Sequence, residues 1–212
     1  MDLITRLIKR SRTSIVPTII YLNIMVYLMW FFLLQTQPYF MINNFLVSWT
    51  GLTEGRIWTL ITSAFSHNML FHLFINVYIF FGFGMLVENV IGSKRFLKFY
   101  LVAGALGSLA HSVVSSFLLN NSDLPALGAS GAVAGVVILF SFMFPKEKIL
   151  IFGIIPIPAI WGAFFVIGLD IWGLLSQTKG GGLPIGHGAH LGGAATGLIY
   201  YFFFLRSHLI RR

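Results

Sequence analysis

The chain has 212 residues, 57% of them hydrophobic and 9% charged, with 22 phenylalanines and a mean hydropathy of +0.87. A soluble domain carries about 25% charged residues, so this composition excludes a water-soluble globule and indicates one integral membrane bundle. The absence of cysteine excludes disulfides and thiolate chemistry. The net charge of +8 belongs to basic residues flanking apolar spans, since no aromatic-interleaved basic patch indicates nucleic acid.

In chain order, a basic end (1–14) with Arg6, Lys9, Arg10 and Arg12 precedes the first apolar stretch, 15–34. That stretch is too long for a signal-peptide core and lacks a small-x-small cleavage site, so it is retained as a signal anchor. The loop that follows, 35–68, is long and rich in Phe, Met, Ile and Trp. Such a loop suits a segment lying in the outer membrane interface. Further apolar stretches cover 69–90, 96–119, 130–144, 158–176 and 187–205, and a basic tail closes the chain at 206–212.

The expected architecture is an all-α, polytopic bundle of six transmembrane helices over 15–205. Twelve basic residues fall on the side of the two ends and two, Arg56 and Lys179, on the other. The positive-inside rule then predicts cytoplasmic termini in a plasma membrane, with the site opening to the extracytoplasmic side. Lys179-Gly180-Gly181-Gly182 makes the fifth loop flexible.

The fourth stretch carries the most informative residue. Ser130 stands in Gly128-Ala129-Ser130-Gly131, ahead of the apolar run 132–144. A run of that length makes about 20 Å of helix, against a bilayer core of about 30 Å. A helix ending at the inner surface therefore starts below the outer one, and a hydroxyl at that depth is costly and usually functional. A packing device or a helix N-cap is the alternative for such a tetrapeptide. The soluble G-x-S-x-G elbow is not matched, because Ala132 holds the fifth position.

The sixth stretch holds Gly188-Ala189-His190-Leu191-Gly192-Gly193, with Gly197 following. Residues 190, 193 and 197 share one helix face, and Gly131 and Gly135 form a matching stripe on the fourth helix. Close packing of the two stripes brings Ser130 within reach of His190, and a serine needs such a base to react. A histidine hydrogen-bonded within the bundle is the alternative.

On the second helix His72 and Asn76, spaced i, i+4, can both donate hydrogen bonds to an oxyanion, or simply pair within their helix. His67, His111, His187 and His208 are read as interfacial or structural. His187 and His190 at i, i+3 resemble a metal pair, but no H-E-x-x-H occurs and no carboxylate lies near them in sequence, so neither metal nor cofactor is expected. Glu88 is expected to anchor near the inner surface. Asp170 is expected to pair with a basic group; nothing in the sequence brings it to His190, so a Ser-His dyad is expected.

Several motifs stand in one order along the chain: Trp58, the run from His67 and Asn68 through His72 to Asn76, Glu88, Gly128-Ala129-Ser130-Gly131, and Ala189-His190-Leu191-Gly192-Gly193 with Gly197. Together they resemble the rhomboid family of intramembrane serine proteases, in its six-helix bacterial or archaeal form. The resemblance implies Ser130 as nucleophile and His190 as general base. It implies an oxyanion site of His72, Asn76 and the Ser130 N–H, with Gly128 beside them. It also implies a half-embedded first loop, a fifth loop capping the site, and transmembrane proteins in the bilayer as substrates.

Gating would then be a tilt of the fifth helix or a shift of the fifth loop. Two positions depart from the family pattern. Trp58 is followed by Thr59, with Arg56 earlier, and Ala134 stands where a tyrosine commonly stacks on the histidine. The rival readings are an inactive relative that binds membrane helices and a small transporter.

Overall fold

The computed structural model describes residues 14–151 and 154–206. Arg6, Lys9, Arg10, Arg12, His208, Arg211 and Arg212, and with them most of the two basic ends, lie outside the described residues.

The first span, α1 (Val16–Leu33), opens with Pro17 in its first turn, where the missing N–H costs nothing. The first loop folds into three short helices, α2 (Pro38–Phe45), α3 (Trp49–Thr53) and α4 (Thr59–Thr62), and a 3-10 turn, Ser63–Phe65. The Ser48 hydroxyl caps α3 by accepting from the Gly51 N–H. Two long spans follow, α5 (Leu70–Ile91) and α6 (Ser93–Phe117), joined at Gly92 with φ +84°, a backbone conformation that favours glycine.

Next comes α7 (Ser130–Met143), then a hairpin of β1 (Lys148–Ile151) and β2 (Ile155–Pro158), then the spans α8 (Ala159–Thr178) and α9 (His187–Tyr200). A π turn, Tyr201–Leu205, prolongs α9. Five of these helices are long and apolar enough to cross a membrane; α7, with 14 residues, is the shorter apolar one.

The helical membrane bundle stands as expected, and a short two-stranded hairpin is added to it. Its strands pair antiparallel from Lys148↔Pro158 to Ile151↔Ile155. Isoleucines favour extended backbone, and two prolines in Ile155–Pro158 deny the helix its N–H donors. The hairpin packs on α8, where a Cβ at Gly162 would meet Ile149 Cδ1 at 2.4 Å.

The short helix lies at the centre, against α5, α6, α8 and α9. Nine of its residues are buried, from Gly131 to Ser141, on all sides rather than along one stripe, as befits a helix enclosed by others. Around it Phe80, Phe96, Phe99 and Tyr100 form a core with Val133, Val136 and Leu139.

The tightest contact is between α7 and α9. A Cβ at Gly193 would stand 1.8 Å from the Gly131 carbonyl oxygen, and one at Gly197 would stand 2.5 Å from that of Gly135. Conversely, Cβ atoms at Gly135 and Gly131 would lie 2.9 Å from the Gly193 oxygen and 3.1 Å from the Ala189 oxygen. The neighbours are backbone atoms, which cannot rotate away, so no side chain fits between these helices.

The start of α1 is held by Glu88, 2% exposed, whose carboxylate accepts from Ser14 Oγ at 2.5 Å, the Ile15 N–H at 2.8 Å and the Val16 N–H at 3.3 Å. A carboxylate there satisfies N–H groups that the helix leaves unpaired and complements its dipole.

Two stability outcomes follow. Gly193→Ala should destabilise the bundle by about 1–3 kcal/mol or more, because the added methyl forces two backbones apart. Glu88→Ala should cost about 1–3 kcal/mol by orphaning buried donors. Thermal melts in detergent read both, and wild-type melting of either variant would contradict the contact assigned to it.

Candidate active site

Ser130 is the first residue of α7, so its N–H is among those left unpaired at a helix N-terminus. The turn before it is held by the first loop. Val47 and Ala126 exchange two backbone hydrogen bonds, at 2.9 and 2.8 Å, and the Gly128 N–H donates to the Ser63 carbonyl at 2.9 Å. The Ala129 N–H donates to His67 Nε2 at 3.4 Å. Gly128 has φ +127°, and a Cβ there would lie 2.7 Å from His72 Cε1. Glycine is thus required twice at this position, for its backbone angle and for the histidine ring against it.

The first loop is itself tied down. Arg56 donates to Asn43 Oδ1 and, at 2.6 Å, to Glu54 Oε2, so this arginine anchors the loop although it precedes Trp58. Trp30 Nε1 on α1 donates to Ser66 Oγ at 2.6 Å.

His72 lies in the first turn of α5, its ring edge-on to His67 with centroids 4.9 Å apart. One turn further, Asn76 Nδ2 donates to the His72 carbonyl at 2.9 Å. The buried Asn76 also lines, with Ala129, Asn23 and Tyr100, a small cavity behind the serine turn. An amide nitrogen carries two protons, so the helix bond leaves Asn76 a second donor.

His190 lies on the first turn of α9, one turn before Gly193. The glycine crossing thus brings the start of α7 and the start of α9 together. No hydrogen bond joins Ser130 to His190 here; such bonds commonly tighten only when substrate binds.

The expectation that nothing brings Asp170 to His190 is corrected. Asp170 on α8 reaches His190, with Nδ1 and Oδ1 2.9 Å apart. A carboxylate oxygen can only accept, so it fixes the proton on Nδ1 and leaves the Nε2 lone pair free. Asp170 thereby orients the imidazole at a site where Ala134 offers no ring to stack on it. The same oxygen accepts from His187 Nδ1 at 2.7 Å. His187 is fitted into α8, since a Cβ at Gly173 would stand 2.2 Å from its Nε2.

Three residues here have partners that the sequence does not name. Asp170 carried a signal, because an acid inside a span needs a partner, and histidines are the polar groups at the start of the neighbouring helix. His187 carried a weaker one, as the i, i+3 mate of His190. His67 carried none that separates it from an interfacial histidine, yet it is wholly buried. Burial, with His72 beside it, pushes its pKa down to about 3, so it remains a neutral acceptor for the Ala129 N–H.

Residues 54–207 match the Rhomboid domain family. RHOMBOID-like protein 12, mitochondrial, of Arabidopsis thaliana is 36% identical over 202 residues, which cover 89% of this chain and 58% of that protein. Rhomboid protein 1, mitochondrial, of Saccharomyces cerevisiae is 34% identical over 67% of this chain and 40% of its own length. The human presenilin-associated rhomboid-like protein, mitochondrial, is 30% identical over 66% of this chain and 36% of its own. The chain therefore spans about a third to three fifths of the length of these relatives. Their names overturn the plasma-membrane location expected from charge alone, since all three are mitochondrial proteins. A positive-inside count orients a chain across a bilayer and says nothing about which bilayer it is. With the domain matched over nearly three quarters of its length, the chain belongs to the rhomboid family.

Proposed function

We propose that this chain is an intramembrane serine protease that hydrolyses peptide bonds in or next to transmembrane segments of other membrane proteins. The observation that carries the reading is the Asp170–His190 hydrogen bond, which leaves a lone pair on Nε2 at the helix crossing that starts beside Ser130. The mitochondrial relatives support a mitochondrial membrane as its location.

Ser130 Oγ attacks the scissile carbonyl while His190 Nε2 takes its proton, and Asp170 holds the resulting imidazolium. The tetrahedral oxyanion is met by the Ser130 N–H at the helix N-terminus and by the side chains of His72 and Asn76, with His72 packed on Gly128. His190 returns the proton to the leaving amine. Water then enters from the loop side and, deprotonated by the same nitrogen, releases the acyl group from Ser130. The serine opens a helix about 21 Å long in a core of about 30 Å, so the substrate must present unwound backbone below the surface. Glycine or proline near the cut eases that unwinding.

A fluorophosphonate probe and one transmembrane substrate test the assignment. Ser130→Ala and His190→Ala should abolish cleavage and probe labelling while the protein still folds. Wild-type labelling of His190→Ala would remove it as the base. An intact wild-type fold that neither labels nor cleaves would make the chain a helix-binding relative instead.

Asp170→Asn should lower kcat strongly, toward the factor of about 10⁴ known when a triad carboxylate becomes an amide, with KM little changed. Near-wild-type turnover would return the site to a dyad.

Asn76→Ala should slow turnover by about 10²–10³ yet still accept the probe, as expected for one lost oxyanion donor. His72→Ala should be slower still. Wild-type rates in both variants would reduce the pair to a structural role.

A further inference from the structure

The catalytic reading uses one of the two histidines that share Asp170, and His187 has no part in it. We propose that Asp170, His187 and His190 form a binding site for one divalent ion of the zinc type, and that its binding silences His190 reversibly.

The donor set converges from two helices. Asp170 comes from the outer half of α8, and His187 and His190 from the first turn of α9. One ligand atom from each, a carboxylate oxygen and a ring nitrogen of either histidine, all lie within 4.8 Å of one another. The carboxylate oxygen already stands 2.7 and 2.9 Å from the two nitrogens. In a tetrahedral zinc site, with bonds of about 2.0–2.2 Å, ligand atoms stand roughly 3.3–3.5 Å apart. The aspartate must therefore withdraw by about half an ångström and the two imidazoles turn inward, which small side-chain rotations provide.

Two imidazoles and one carboxylate suit zinc and its neighbours, and leave a fourth position for water. Magnesium and calcium, which prefer oxygen ligands, are disfavoured. The His187–His190 spacing lacks a carboxylate in sequence, and α8 supplies one in space. The rings are nearly perpendicular, at 86°, and His187 is wedged against the Gly173 backbone, so its nitrogen is held facing the carboxylate. The His190 side chain is 22% exposed against 9% for the other two, which gives an ion an approach on that side.

The effect on catalysis follows from proton placement. A neutral imidazole has one N–H. When the metal takes Nδ1 of His190, that proton moves to Nε2, and Nε2 can no longer accept the proton of Ser130. Binding and catalysis thus compete for one ring, with no covalent change. The inhibition rests on the protease reading above; the metal site itself does not.

The test therefore has an arm that needs no activity. Purified Ser130→Ala protein is titrated with Co²⁺, whose visible d–d absorption reports tetrahedral nitrogen and oxygen ligands. One Co²⁺ per chain, displaced by Zn²⁺, is expected. His187→Gln and Asp170→Ala, introduced on that background and shown to melt cooperatively, should bind about 100-fold more weakly, since even outer-shell partners are worth about 10–100-fold in affinity.

In the active protein, Zn²⁺ should stop cleavage and a chelator should restore it. In His187→Gln, zinc should lose its effect relative to that variant's own metal-free rate. Absence of Co²⁺ binding, or zinc inhibition undiminished in His187→Gln, would overturn the proposal, as would stoichiometric binding that leaves cleavage untouched. If the protein never cleaves, the protease reading fails alone, and the Co²⁺ titration still decides the metal site.

Discussion

Everything at the site hangs on a backbone contact with no side chain in it. Gly193 meets the Gly131 carbonyl where a Cβ would stand at 1.8 Å, and Gly197 meets Gly135 one turn below. Lipid tails are as apolar as leucine, so membrane helices associate through close packing rather than through a hydrophobic drive. Four glycines supply that closeness here. The consequence is positional: two short-range backbone contacts determine where the first turns of α7 and α9 stand, and Ser130 and His190 ride on those turns. A bulkier pair of faces would keep the helices and lose the juxtaposition.

A second constraint acts from the loop side. A helix that begins below the membrane surface exposes unpaired N–H groups where water is scarce. The turn 126–129 that leads into α7 has its own N–H groups satisfied by the first loop, through Val47, Ser63 and the neutral His67, so the helix start is fixed from that side. The loop is in turn held by Arg56 to Asn43 and Glu54, and by Ser66 to Trp30 of α1. The serine is therefore placed by two independent supports, glycine packing behind it and a hydrogen-bonded loop in front. His72 belongs to the loop-side support, because its ring rests on Gly128 and against His67.

The spans were legible in the sequence to within about three residues, because each is a long apolar run whose ends are marked by glycine, proline or charge. The glycine stripes of α7 and α9 were legible for the same reason, as periodic small residues. The hairpin was not, since a short isoleucine and proline run has no periodicity that separates it from a loop. Asp170 was visible as an acid inside a span, but its partner was not, because the relative rotation of α8 and α9 about their axes leaves no trace in either stretch taken alone. His67 was hidden more deeply. Its burial arises from the fold of the first loop, which depends on Ser66 and Val47 finding partners far away in the chain. Local pattern reports elements and faces, and it does not report which polar groups of different elements meet.

Asp170 also links the site to an outward-facing span of the bundle. On α8, Trp161, Phe164 and Trp172 point outward, each more than half exposed to the surroundings, and the helix is held to α9 near the site by the His187 and His190 bonds. The carboxylate bonded to His190 is thus carried by a helix whose other face is open. If α8 tilts outward, the aspartate leaves with it and the Nδ1 proton of His190 loses its acceptor. If the fifth loop moves instead, α8 stays and the imidazole remains fixed. The two gating motions therefore differ in chemistry as well as in shape. On the protease reading proposed here, a site that opened by tilting α8 would have to bring it back before Ser130 could be activated, whereas one that opened by its loop would keep His190 oriented throughout.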